Sequence, residues 1–473
     1  MNRRRAGLLT STFCLPLLTF ALCLLPFFPV SLVAQDTPSP TQGVVRKGKV
    51  PVSDEILKIR LPRPSETTLA NGLRIVVLED HRLPQISFQL VIPGAGGYLD
   101  PADQPGLAGF TAALLREGTA TRTSTQLAQE LEIMAATLNA GAGSSPEATI
   151  SGSSLSEHAV RLIELAADVV LHPTFPEAEI ARYKQQTRAR LAQQRANPNF
   201  LAAEMFSRAV YGSHPASRIS PTEAAVERLT RDDLVEFHRT HYLPDRAVLA
   251  IAGDVSMLQA RFVVESRLGA WAKPAVSTIA PVPDPAPLDG ARIFFIGRPN
   301  SVQTSLVVGT QAIERTHADY DTLSVMNKIV GGGPTGRLFI HLREEKGYTY
   351  GATSSLDARQ HRGDWSASTN VRTEVTDPAL RDLLEEVRQI REVPVSDSEL
   401  ADAKRSMVAS FALSLESPAQ LLNLYLTQWR YRLPADYWDR YAERVTAITK
   451  QQIQTAARKY LAQDRMQIVA VGD

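Results

Sequence analysis

Cysteine is nearly missing from this sequence. The two present, Cys14 and Cys23, both fall within the first 34 residues. Without that segment the chain has no thiol to act as a nucleophile and no disulfide to brace it. Packing alone must then hold it together, which a chain of 473 residues can manage. A surplus of charge is missing too. The formal net charge is +1, and no basic run lies beyond the N-terminus, which argues against a nucleic-acid partner. Long apolar runs are absent after residue 34, and the 44% apolar and 21% charged fractions are those of a globular chain, not a disordered or multi-span one.

What is present begins with an export pattern. Arg3-Arg4-Arg5 leads into an apolar run from Gly7 to Ala34, interrupted by Pro16, Pro26 and Pro29. A charged start, an apolar core and a small residue at its end describe a secretory signal over residues 1–34. The alternative is an uncleaved anchor, since the run is long enough to span a bilayer. Leu22 before Cys23 argues against a lipidated cysteine. The expected location is the periplasm, the cell envelope or the exterior, with membrane contact only through this segment if it is kept. Losing its three arginines takes the net charge from +1 to −2. Residues 35–54 read as a flexible leader.

From Thr67 the pattern changes to alternation. Gly72–Glu79 and Gln85–Ile92 read as two strands, followed by a Gly-rich turn at Gly94–Gly97. Gly106–Thr119 reads as one amphipathic helix, entered from a turn-rich stretch at Asp100–Pro105 and closed by Gly118. A helix is expected over Thr125–Leu138 and a short strand over Ala148–Ser154. Glu157–Leu171 and Glu177–Arg195 carry apolar residues at helical spacing. Ala247–Ala252 reads as a buried strand. Ala272–Asp289, rich in Pro and Ala, is the linker candidate.

After the linker the pattern repeats. Leu229–Leu234 matches Ile448–Ile453, Tyr242-Leu243 matches Tyr460-Leu461, and Gly253-Asp254 matches Gly472-Asp473. Glu179-Ile180 and Asn197-Pro198 match Glu399-Leu400 and Ser417-Pro418 at an offset of about 220 residues, the coherent shift of an internal duplication. The expected fold is α+β, with two homologous domains over residues 55–271 and 290–473, joined by the Pro-rich linker at 272–289. Each is an antiparallel or mixed sheet with helices packed on one face.

Among the histidines only His238 and His241 are close in sequence. No Glu lies between them and no third donor is evident, so they read as interhelical or surface residues. Gly331-Gly332-Gly333 with Gly336 reads either as a helix-capping turn or as a loop that admits close backbone approach.

These motifs together resemble the insulinase/pitrilysin superfamily, in its two-domain branch with the mitochondrial processing peptidase. The resemblance rests on Gly106–Phe110 with Gly118-Thr119, Phe175-Pro176-Glu177, Gly253-Asp254 and the stretch Arg337–Ser354, and covers Thr67 to Asp473. Active members carry H-x-x-E-H on the opening helix, two His sharing a face to bind zinc and a Glu as general base. Here those positions hold Gly109, Ala112 and Ala113, and the distant Glu ligand falls at about Arg190. None of the four can ligate zinc or move a proton, and a cation at 190 would repel the ion. The resemblance therefore implies no cofactor in this chain and zinc on a partner subunit.

The resemblance also implies what is kept. The family's Arg/Tyr pair, which donates to the substrate carbonyl and to the oxyanion as it forms, maps onto Arg343 and Tyr350, with Tyr348 as the alternative phenol. Without the resemblance the same stretch reads as a solvated helix end and a core-edge aromatic. Gly331, Gly332 and Gly333 resemble the glycine-rich loop of non-catalytic processing-peptidase subunits. Leu138-Asn139-Ala140 resembles the strand edge that receives an extended peptide, with Asn139 as a binding residue. The expected function is a non-catalytic subunit of an exported heterodimeric zinc metallopeptidase, paired with a zinc-bearing homologue and binding peptides or unfolded segments. A catalytically inert scaffold or peptide-binding protein of the same fold is the alternative.

Overall fold

Two sheets of nearly the same strand order organise the chain. The computed structural model describes residues 56–274 and 281–473. The expected signal and leader lie outside the described residues, as does the middle of the expected linker. The first sheet contains β1 (Ser65–Thr68), β2 (Arg74–Glu79), β3 (Gln85–Pro93), β4 (Thr137–Gly141), β5 (Glu147–Leu155) and β6 (Val248–Gly253), in spatial order β1-β2-β6-β3-β5-β4. The second contains β7 (Arg292–Gly297), β8 (Gln303–Gln311), β9 (Thr349–Asp357), β10 (Asp364–Arg372) and β11 (Gln467–Gly472), in order β7-β11-β8-β10-β9. Removing β1 makes the two orders equivalent. In each sheet one pair is parallel, β2 with β6 and β7 with β11, and the other pairs are antiparallel.

The first-half helices are α1 (Leu107–Leu114), α2 (Ser124–Ile133), α3 (Ala159–Leu171), α4 (Glu177–Ala196), α5 (Pro198–Tyr211), α6 (Glu223–Arg228), α7 (Arg231–His241) and α8 (Met257–Leu268). In the second half, α9 (Tyr320–Gly331) leads to α10 (Arg337–Phe339), which runs into a π-helical turn at Ile340–Glu345. Then follow α11 (Thr376–Glu392), α12 (Asp397–Ser414), α13 (Pro418–Arg430), α14 (Tyr441–Ala447) and α15 (Lys450–Tyr460). The repeat is visible in the local chemistry. Thr230 and Thr449 each cap an eleven-residue helix, α7 and α15, through a reciprocal box with Asp233 and Gln452.

Two helix ends differ from the sequence reading. The helix expected over Gly106–Thr119 stops at Leu114. Gly118 does not terminate it; a Cβ there would lie 2.8 Å from the Pro176 ring, so glycine is needed for close packing. The helix expected over Thr125–Leu138 ends at Ile133, Ala135 takes a φ of 47°, and Leu138 pairs with Gly152 in β4. Backbone pairing with β5 overrides helical propensity there.

The central strands of each sheet, β6 and β11 above all, are buried on both faces, by two different sources of helix. Ile75, Val77, Leu249 and Ile251 face a core built with the first half's own helices. Val76, Val248 and Ala250, on the opposite face, pack against Leu421, Leu422, Tyr425 and Leu426 of α13. The reverse holds for the second sheet: Val469 and Val471 pack against Ala202, Phe206 and Val210 of α5. Each half therefore lends one helix to cover the other half's sheet. A buried polar cluster joins them as well. The Tyr98 hydroxyl lies 3.0 Å from His361 Nε2 and accepts from Arg359 at 2.6 Å, while Tyr211 donates to Asp364. Within the expected linker, the Pro283 carbonyl accepts from His214 at 2.9 Å and Asp284 accepts from the Arg362 amide.

Candidate functional site

The positions singled out on α1 converge on a cavity of about 430 Å³ in the first half. Gly109 and Ala113 lie one helical turn apart on α1, and Arg190 comes from α4, which packs beside it. Tyr183, Asp100 and Arg218 complete the charged and aromatic lining, and the stretch from Ala140 to Ser144, running out of β4, forms the facing wall. Ala112 is fully buried. Residues far apart in sequence are thus brought together as the family frame requires, without the side chains that frame would use.

Asp100 and Arg218 were not anticipated. Asp100 accepts hydrogen bonds from the backbone N–H groups of Gly106 (2.6 Å) and Ala108 (2.8 Å), which ties the preceding turn to the start of α1. Burial pushes its pKa up to about 6 against those two hydrogen bonds and the charge of Arg218. The sequence signal for Asp100 was faint: an Asp in a turn just ahead of a helix. Arg218 gave none.

The remaining candidates lie elsewhere. Asn139 is exposed on β4, the edge strand of the first sheet, and accepts from Arg116 at 3.3 Å. Gly331 ends α9 where a Cβ would sit 2.5 Å from the Ser354 backbone nitrogen, and Gly333 takes a φ of 136°. The Lys328 ammonium donates to the Gly332 carbonyl at 2.7 Å. His238 and His241 bond to separate carbonyls, those of Val170 and Gly94.

Arg343 and Tyr350 do meet. Arg343 sits in the π-helical turn and Tyr350 at the start of β9, the edge strand of the second sheet. The guanidinium lies over the Tyr350 ring at 4.8 Å and over the Phe339 ring at 4.6 Å. Tyr350 is 87% exposed, whereas Tyr348 packs against the second core. The nearest carboxylate to Arg343, on Glu344, is a loose contact at 3.4 Å.

Sequence and structure comparisons point to one family. Residues 74–221 match the model for insulinase (peptidase family M16), and residues 228–407 match that for the peptidase M16 inactive domain. The peptidase M16 inactive domain from Pseudomonas fluorescens superposes with a TM-score of 0.80 at 30% identity, covering 86% of this chain and 98% of that one. The chain belongs to the insulinase family. An uncharacterized zinc protease of Mycobacterium leprae is 29% identical over 62% of this M16 chain and 65% of its own length. The periplasmic protease PqqL from Escherichia coli shares the fold, with a TM-score of 0.73 at 17% identity over 87% of this chain and 45% of its own.

Zinc does not fit this M16 cavity. Gly109 and Ala113 offer no donor, Arg190 is a cation, and the carboxylate of Asp100 is taken up by two backbone amides. Among the described residues no cluster of three His, Cys, Asp or Glu has the arrangement to hold a metal.

Proposed function

We propose that this chain is the non-catalytic subunit of an exported heterodimeric zinc metallopeptidase. It supplies Arg343 and Tyr350 to a peptide chamber shared with a zinc-bearing homologue. The observation that carries this reading is a contrast within one molecule. In the first-half cavity the positions that the family resemblance gives to zinc hold Gly109, Ala113 and Arg190, while the second half presents a guanidinium on an exposed phenol, both donors suited to a carbonyl gaining negative charge. Asn139 and the loop at Gly331, Gly332 and Gly333 would line the peptide's path. The chain divides into domains at 55–271 and 290–473, with the linker between. Export is supported by the signal-like residues 1–34 and by the periplasmic setting of the fold relative PqqL.

The test is reconstitution. The chain alone should show no chelator-sensitive peptidase activity, and co-purification from the cell envelope should bring a zinc-bearing partner. In the complex, Arg343→Ala should lower kcat by about a hundredfold with zinc content unchanged, the usual cost of removing one oxyanion donor. Unchanged turnover would remove Arg343 from the reaction. Failure to recover any zinc-bearing partner would favour a peptide-binding scaffold instead.

A further inference from the structure

We infer that the first-half cavity is a binding site for a carboxylate carried by an extended polypeptide segment, with Arg190 and Arg218 as its counter-charges. The place that the family resemblance gives to zinc is, in this chain, an anion site. The inference rests on the premise, shared with the proposed function, that this chain receives polypeptide along the β4 edge; Arg190 and Arg218 are not the residues given the catalytic role.

The charge balance of α4 points to it. Of the four arginines on this helix, Arg182 pairs with Glu117 and Glu179, Arg188 with Glu223, and Arg195 with Glu204. Arg190, the one in the cavity wall, has no carboxylate partner among the described residues; its contacts are the Thr187 hydroxyl at 3.1 Å and the Tyr183 ring at 5.9 Å. Among the described residues Arg218 likewise forms no ion pair, and its charge acts on Asp100. Asp100 is the single carboxylate in the lining, and two amides already occupy it. Two guanidiniums against one engaged carboxylate leave the cavity cationic.

Space and hydrogen-bonding capacity agree with the charge. Gly109 and Ala113 leave room where longer side chains would fill the pocket. Ser144, in the wall, has a buried hydroxyl with no hydrogen-bond partner. Ala140 and Gly141 belong both to the wall and to β4, whose outer edge is unpaired. A strand added to that edge passes the cavity and can lodge an anionic group there. The carboxylate can come from an acidic side chain or from a chain terminus, and guanidiniums suit either.

The experiment is binding of four N-acetylated peptides of alternating Val and Thr to the full chain, read by titration calorimetry at low salt. They carry a single Glu or Gln and end in a free or amidated C-terminus. We expect the peptides with a carboxylate to bind about tenfold tighter than the fully neutral one, the size of a charge-assisted contact, with the preference falling as salt rises. A Glu/amide advantage assigns a side chain; a Gln/acid advantage assigns a terminus. The double variant Arg190→Gln, Arg218→Gln should abolish the preference, and Arg190→Lys, Arg218→Lys should keep part of it. Equal binding of all four peptides, binding of none at millimolar concentration, or an unchanged preference in the double Gln variant would overturn the inference. Peptide binding by the chain alone reports this site, and turnover of the reconstituted complex reports the proposed catalytic role, so the two can fail separately.

Discussion

Two buried aspartates illustrate how environment, not residue type, sets behaviour in this chain. Asp168 lies in the first half beneath the Thr119 turn. Burial opposes its charge, but donors from Thr119 (2.7 Å), Thr121 (2.8 Å) and Arg122 (2.6 Å) outweigh that and hold its carboxyl below the usual range. Asp364 lies between the halves, where burial dominates over the Tyr211 hydrogen bond and raises its pKa to about 6. The linkage signs are opposite. A carboxyl near 6 in the native state and 3.8 unfolded binds a proton preferentially when folded, so stability falls as pH rises between about 4 and 6. Asp364→Asn keeps an acceptor for Tyr211 and removes the charge. Above pH 6.5 the variant should therefore gain up to about 3 kcal/mol over the native chain, and near pH 4 almost nothing. Denaturant titrations across pH check this; a gain independent of pH would refute it. Asp100 titrates in the same window, so part of the slope remains in the variant.

At the scale of elements, the pairing of α1 with α4 is the feature that matters most for the site. It sets Gly109, Ala113 and Arg190 around one cavity although nothing in the chemistry of those residues demands that they meet. Leu107, Phe110 and Leu114 keep the helix seated in the core, and Phe110 packs edge-on against Tyr183 of α4 at 4.7 Å. If that scaffold is intact, ligands grafted onto it should bind. Gly109→His, Ala113→His, Arg190→Glu combined should take up one zinc per chain, measured by titration calorimetry. The two histidines with Arg190 retained should bind far more weakly, since a cation replaces the third ligand. Zinc uptake independent of residue 190 would show that α4 does not present that position to the site.

For the whole molecule, the reciprocal covering of the sheets is the governing fact. α5 and α13, equivalent in the repeat, each serve the other half. Phe206 of α5 lies against the second sheet where Gly309 leaves room; a Cβ at Gly309 would come within 2.6 Å of its ring. Phe206→Ala should cost about 3–5 kcal/mol and weaken both halves together. Far-UV dichroism and tryptophan fluorescence should still report one coincident urea transition; two separated transitions would show that the halves do not depend on each other. The contact polar cluster is set for neutral histidines. His361 Nδ1 faces the Arg362 carbonyl at 2.8 Å and Nε2 faces the Tyr98 hydroxyl, and burial lowers the pKa of both His361 and His214.

Much of this was legible in the order of residues. Period-2 stretches located β2 and β3, a continuous apolar run located β6, helical spacing located α3 and α4, and the recurrence of Leu229–Leu234 at Ile448–Ile453 and of the Gly-Asp strand ends showed the repeat, because each of these is carried by short stretches of sequence. That Gly109, Ala113 and Arg190 offer zinc no ligand followed from side-chain identity once the family resemblance had picked out those positions. Tertiary structure decided the rest. Only packing could bring Arg218 into the same cavity as Arg190, stop α2 at Ile133 in favour of β4, turn Tyr350 outward while Tyr348 went in, and send α5 and α13 across to the opposite sheets. Those outcomes depend on which surfaces meet at separations of tens to hundreds of residues, where burial and pairing outweigh any local preference.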